Sequence, residues 1–126
     1  INMYLHGDGG SRVYEADSLD KELLVDERWS AEKKKEIDEL RDLLNTKEGC
    51  VDLILTNPPF SKVYEKKHAP EKRVLERYRL AHFPGTSLLK NSVRSNILFV
   101  ERYADILKTG GRVVAVIDDS VLGGGD

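Results

Sequence analysis

An α/β fold with a mostly parallel sheet and flanking helices is predicted by two observations. Apolar runs that read as strands alternate with segments of helical periodicity, in the order strand, helix, strand, helix, strand. The run Val51-Asp52-Leu53-Ile54-Leu55-Thr56 is almost continuously apolar, the pattern of a central parallel strand covered on both faces. Such an order implies one α/β layer with right-handed crossovers.

The elements follow in chain order. Residues 1–7 read as the last turns of a helix with Gly7 as its stop. After a turn at Asp8-Gly9-Gly10-Ser11, residues 12–16 alternate weakly as a short strand. That strand ends in Asp17-Ser18-Leu19. Residues 21–45 have helical periodicity: Ile37, Leu40 and Leu44 make one apolar stripe with Leu43 beside it. Ser30 is the expected N-cap, Glu32 suits the first turn, and Gly49 is the expected stop. The remaining Lys, Glu, Asp and Arg residues of that segment read as a solvated helix face.

Residues 61–91 are the most basic and least regular part, with Tyr64, Tyr78 and Phe83 interleaved among lysines and arginines. Pro70, Pro84 and Gly85 break this part into pieces, leaving a short helix near residues 71–80. Ser95 is the expected cap of a second long helix, in which Ile97, Val100, Ala104 and Leu107 recur at helical spacing. Phe99, Tyr103 and Ile106 widen its stripe, and Gly110-Gly111 should end it. Residues 112–118 form the last apolar strand.

A chain of 126 residues suits one small domain with its own core. The net charge of −2 argues against nucleic-acid binding by bulk positive charge, though not against a local basic patch. The single cysteine, Cys50, excludes an intrachain disulfide and fits a reducing, cytoplasmic setting. His6, His68 and His82 are scattered, so no metal-site spacing appears. No apolar run approaches the ~18 residues of a membrane span, and there is no signal peptide. The chain starts within a helical pattern and stops at Gly123-Gly124-Gly125-Asp126, which reads as a piece of a longer protein.

Asn57-Pro58-Pro59-Phe60, just past the apolar strand, carries the chemistry. In open α/β sheets, ligands bind outside the carboxyl ends of strands. Both prolines lack an N–H and have fixed φ, and a residue before proline is held extended. The loop is therefore stiff and offers acceptors without competing donors at those two positions. The Asn57 side-chain oxygen and the Pro58 carbonyl could both accept from one NH₂ group, with Phe60 as a flat face for a planar ring. Two acceptors on a conjugated amine would favour a more tetrahedral nitrogen and localise its lone pair for attack on an electrophilic methyl group. The bland alternative is a turn that merely ends a strand.

These residues resemble the (D/N/S)-P-P-(Y/F) signature of S-adenosylmethionine-dependent amino methyltransferases, in the NPPF form typical of adenine-specific DNA methyltransferases. Asn2-Met3 with Leu5-His6-Gly7 is similar to the N-M-x-L-H-G segment of the modification subunits of type I restriction systems. Asp17-Ser18-Leu19 resembles the D-(S/T)-L that follows it. Leu107-Lys108-Thr109-Gly110-Gly111-Arg112 resembles the L-x-x-G-G-R region, and Asp118-Asp119-Ser120-Val121-Leu122 stands where P-(N/D)-G-V-L usually follows. The resemblance spans nearly the whole chain.

It implies a partial Rossmann-like methyltransferase fold, with residues 1–126 as part of a catalytic domain. It also implies transfer of a methyl group from S-adenosylmethionine to the exocyclic amine of adenine in a restriction-modification system. Asn57, Pro58, Pro59 and Phe60 would be catalytic, binding the amine and stacking on a base flipped out of double-stranded DNA. Asp17 would bond the cofactor adenine, with Ser18 and Asn57 also at the cofactor; the alternative for Asp17 is a helix cap. Lys and Arg residues of 62–79 would touch phosphates or simply be solvated. Specificity and restriction subunits would be partners, with no membrane.

The family's D-P-x-C-G-(S/T)-G loop, which holds the methionine end of the cofactor, is absent from this sequence. Residues 1–126 alone would then be inactive and, lacking central strands, prone to self-association. A glutamine amide or an RNA base as substrate, or a non-catalytic interaction domain of the same fold, are the alternatives.

Overall fold

The structure, a computed structural model, describes residues 5–122. Its elements are α1 (Ala31–Leu44), β1 (Val51–Thr56), β2 (Val63–Glu65), α2 (Ala69–Leu75), a 3₁₀ turn (Arg79–Ala81), β3 (Ser92–Arg94), α3 (Ser95–Ile106), β4 (Leu107–Ala115) and α4 (Asp119–Leu122). The expected α/β class holds. β1 and β4 pair in parallel, with Leu53 opposite Arg112 and Thr56 opposite Ala115, and α3 is part of the crossover between them.

Ser30 caps α1 as expected, accepting from the Lys33 amide at 3.2 Å, and Glu32 lies in the first turn. Ile37 is the buried residue of the stripe. The helix is shorter than its periodicity predicts. Residues 21–30 are not helical, because Asp20 and Glu22 are drawn into ion pairs with Arg73 and Asp26 closes a turn onto the Trp29 amide. The helix stops at Asn45 rather than Gly49, which instead holds φ 80° directly ahead of β1.

Residues 12–16 are not a strand. No neighbouring strand lies beside them among the described residues, and an extended segment without a ladder partner is not a strand. The expected helix over residues 1–7 falls largely outside the described residues, as do Asn2, Met3 and residues 123–126.

α3 forms as predicted, but its predicted stripe is not its buried face: Ile97, Val100 and Ala104 are exposed, while Leu98, Glu101 and Arg102 are buried because the helix packs toward the β2–β3 core, and two of its boundaries differ. Arg94 occupies the N-cap position and Ser95 is the first helical residue. At the other end, Leu107 turns directly to extended geometry, so Gly110-Gly111 lies inside β4. Val51 pairs with Leu107 and Leu53 with Arg112. Residues 108–111 therefore bulge opposite Asp52 alone, and Gly110 with φ 81° supplies the bend.

The antiparallel β2–β3 pair (Tyr64 opposite Val93) was not expected from the sequence. With α2 and the 3₁₀ turn it houses the main core: Leu19, Tyr64, Val74, Leu75, Tyr78, Ala81, Leu89, Val93 and Leu98. Tyr78 is fully buried and its hydroxyl donates to the Leu19 carbonyl at 2.6 Å. Apart from Leu19, the core is thus built from residues downstream of the Asn57–Phe60 loop and not from the parallel strands.

β1 is covered on one face only. Ile54 and Thr56 are half-buried, while Leu53 and Leu55 are 54% and 72% exposed. A two-stranded sheet cannot give β1 the two covered faces that its apolar run predicts. Among the described residues, no helix is long and apolar enough to cross a membrane.

Candidate active site at the carboxyl end of β1

The Asn57–Phe60 loop leaves β1 and reaches β2 across Ser61 and Lys62. Its first anchor is the Thr56 carbonyl, which accepts the Val116 amide at 3.1 Å just past β4. The Thr56 hydroxyl lies 3.0 Å from that of Tyr103, so α3 grips the strand end from its covered face. The second anchor is the Pro59 carbonyl, which accepts from Ser95 Oγ at 3.0 Å. Between these anchors Pro58 is buried and Asn57 is exposed. No hydrogen bond among the described residues engages the Asn57 side chain or the Pro58 carbonyl. The two acceptors read from the sequence are therefore unspent, while the carbonyls on either side are committed.

Phe60 is half-buried and lines a cavity of about 350 Å³ with Ser61, Val63, Arg94 and Asp118. Polar groups predominate there, so the ring is the one broad flat surface.

Asp17 and Ser18 belong to a different cavity, of about 340 Å³, which shares none of those residues. It reaches the strand end through Thr56 and is walled by apolar groups that include Leu40, Ile54 and Phe99. Asp17 Oδ1 accepts the Leu19 amide at 3.0 Å, fixing the turn, and no hydrogen bond among the described residues engages Oδ2. The Ser18 carbonyl accepts from Arg102 Nε at 3.0 Å, docking that turn onto α3. Tyr14 also lines this cavity, and its buried hydroxyl has no hydrogen-bond partner among the described residues. An orphaned buried hydroxyl of this kind commonly answers a group supplied from outside the chain. The cavity has the size of a small-molecule site, with an apolar wall for a planar ring and few polar groups to orient it. Asp17, expected either at a cofactor or as a helix cap, heads no helix here.

The basic stretch is largely spoken for. Arg73 pairs with Asp20 and Glu22, Arg77 with Glu22, Lys72 with Glu76 and Lys67 with Glu65. Lys62 lies 4.5 Å from the Tyr64 ring centre. Lys66 and Arg79 have no ion pair among the described residues. His82 is a structural residue, with Nδ1 2.8 Å from the Tyr78 carbonyl. Among the described residues no cluster of His, Cys, Asp or Glu could hold a metal ion.

Sequence reasoning missed two contributors. Ser95 is expected from the sequence only as a helix cap, and Tyr14 carries no sequence signal of its own. Nothing in the sequence links Ser95 to Pro59 across 36 positions, and an orphaned hydroxyl has no sequence signature. No curated protein and no solved structure matches the chain. The family model for N-6 DNA methylase matches residues 1–126, and the chain belongs to that family.

Proposed function

We propose that this chain supplies the target-amine side of an S-adenosylmethionine-dependent transfer of a methyl group to the exocyclic nitrogen of adenine in DNA. The observation that carries the reading is the pair of unengaged acceptors, the Asn57 side-chain oxygen and the Pro58 carbonyl, between two committed carbonyls and next to Phe60. The family membership supports DNA methylation as the class of reaction.

Asn57 and Pro58 each accept one hydrogen of the adenine amine. This weakens conjugation of the nitrogen lone pair with the ring and aims it away from the loop. Phe60 stacks on the extruded base, a contact worth roughly 1–3 kcal/mol. No strong base is required, because the nitrogen becomes acidic as its new bond forms and its proton passes to water. S-adenosylmethionine, when bound, supplies the electrophilic methyl group. Asp17, Ser18 and the Tyr14 hydroxyl would hold the adenine end of the cofactor, with the apolar wall containing Phe99 beside it. The glycine-rich segment that would hold the methionine end is not in this sequence, so residues 1–126 alone are inactive in this reading.

The Asn2-Met3 and Leu5-His6-Gly7 residues favour a type I-like restriction-modification setting, with specificity and restriction subunits as partners. The test is Asn57→Ala in the full-length protein, with tritiated methyl transfer to duplex DNA as readout. A fall of at least about 100-fold is expected, with cofactor affinity unchanged. Retained adenine methylation would sink the assignment, and methylation of RNA or of a glutamine-bearing peptide instead of DNA would redirect it.

A further inference from the structure

We infer that Ser95 is the positioning residue of the Asn57–Phe60 loop, holding Phe60 in register with the Pro58 acceptor; this deepens the amine-binding reading above and rests on it. Neither Pro58 nor Pro59 can donate a backbone hydrogen bond. At its two prolines the backbone of the loop can therefore be held from outside only through carbonyls. Thr56 fixes the upstream end by accepting the Val116 amide. With φ locked at both prolines, ψ of Pro59 is the free backbone torsion between the Pro58 carbonyl and the Phe60 nitrogen. The bond from Ser95 Oγ to the Pro59 carbonyl sets that torsion.

The geometry around Ser95 suits this role. The residue is 1% exposed, so its hydroxyl does not exchange Pro59 for water. Its amide donates to the Lys62 carbonyl at 2.9 Å, and the preceding Arg94 pairs with Val63. Ser95 is thereby tied to the same β2 segment that receives the loop. A serine at the N-cap of a helix commonly turns its hydroxyl back to a free amide of that helix. Here Arg94 holds that position and Ser95 is the first helical residue, so its hydroxyl is not drawn into a cap and reaches out to the loop.

Two substitutions test the inference in the full-length protein. Ser95→Ala removes the donor. Ser95→Cys keeps the side chain's shape and leaves only a weak donor. Both are expected to lower kcat by about tenfold to a hundredfold, since small misplacements of a reacting group cost that much. KM for S-adenosylmethionine should stay unchanged. A duplex carrying 2-aminopurine at the target position should show altered emission, as the extruded base stacks less squarely on Phe60. Wild-type kcat in either variant overturns the inference, and if Ser95→Ala does not fold, Ser95→Cys alone decides. Loss of kcat accompanied by an equal loss of cofactor affinity also overturns it, because the role would then be general stability. Asn57→Ala, assayed alongside, separates the two claims. If Asn57→Ala is inactive and Ser95→Cys is fully active, only the role of Ser95 falls.

Discussion

The Glu101 carboxylate receives Lys21 Nζ at 2.6 Å while accepting the backbone amides of Arg79 at 3.1 Å and Leu80 at 2.8 Å. One side chain on α3, 5% exposed, thus joins the segment after Asp17 to the 3₁₀ turn. Burial alone would raise its pKa. The Lys21 hydrogen bond and charge and the two amides outweigh burial and hold it below the ordinary glutamate value. Unfolded Glu101 therefore binds a proton at higher pH than folded Glu101. Its contribution is fully present above the ordinary value of 4.5 and is lost as pH falls through the folded value. Glu101→Gln should cost about 1–3 kcal/mol at neutral pH and flatten the acid limb of stability against pH, read from urea midpoints between pH 3 and pH 7.

Arg73 is held as a fork between Asp20, at 2.8 and 3.1 Å, and Glu22, at 2.7 Å. Lysine cannot reproduce that planar arrangement. Arg73→Lys is expected to cost about 1–2 kcal/mol and to speed amide exchange in residues 19–23, with little change elsewhere. Uniform exchange across the chain would contradict this account.

At Gly49, φ is 80° and a Cβ would run into the Leu107 carbonyl. At Gly85, φ is 73° but a Cβ would meet nothing within 4 Å. Gly49→Ala should therefore destabilise by at least about 2 kcal/mol, combining backbone strain with displacement of the β1–β4 start, and Gly85→Ala by about 1–2 kcal/mol from strain alone. Thermal melts of the two variants, side by side, measure the difference.

Residues 1–126 alone should bind S-adenosylmethionine only at millimolar concentration or weaker, about −4 kcal/mol. The cavity at Asp17 offers partners for a purine, and the sequence has no glycine-rich segment for the methionine end. Calorimetry giving micromolar affinity would overturn this.

The open face of the parallel pair, with Leu55 72%, Val114 61% and Val116 53% exposed, should promote self-association of the 126-residue chain. Sedimentation velocity should show concentration-dependent species that Leu55→Lys reduces. A single monomeric boundary at all concentrations would count against it.

The residues that announced themselves in the sequence were those whose local pattern matches their local structure. Ser30 caps a helix, the 51–56 run is a strand, and Asn57–Phe60 is the turn where that strand ends. The β2–β3 pair was illegible because Val63-Tyr64-Glu65 and Ser92-Val93-Arg94 are too short for a period and join across a long intervening segment. Gly110-Gly111 misled because a glycine pair signals both a helix stop and a bulge, and only the partner strand decides which. In the site, the acceptors of Asn57 and Pro58 could be deduced from proline chemistry. The Ser95 contact could not, since it depends on how α3 meets the loop.

Because the main core, apart from Leu19, lies within the segment that separates β1 from β4, the chain has a built-in order of assembly. The packing of Tyr78 with Val74, Val93 and Leu98 lies within that segment and does not wait for the parallel pair, whereas pairing Val51 with Leu107 must close the whole intervening loop. The loop at Asn57 acquires its shape only once that closure is made. Amides of β1 should accordingly exchange with solvent well before that of Tyr78, so gentle destabilisation would disarm the amine site while leaving the interior of the protein intact.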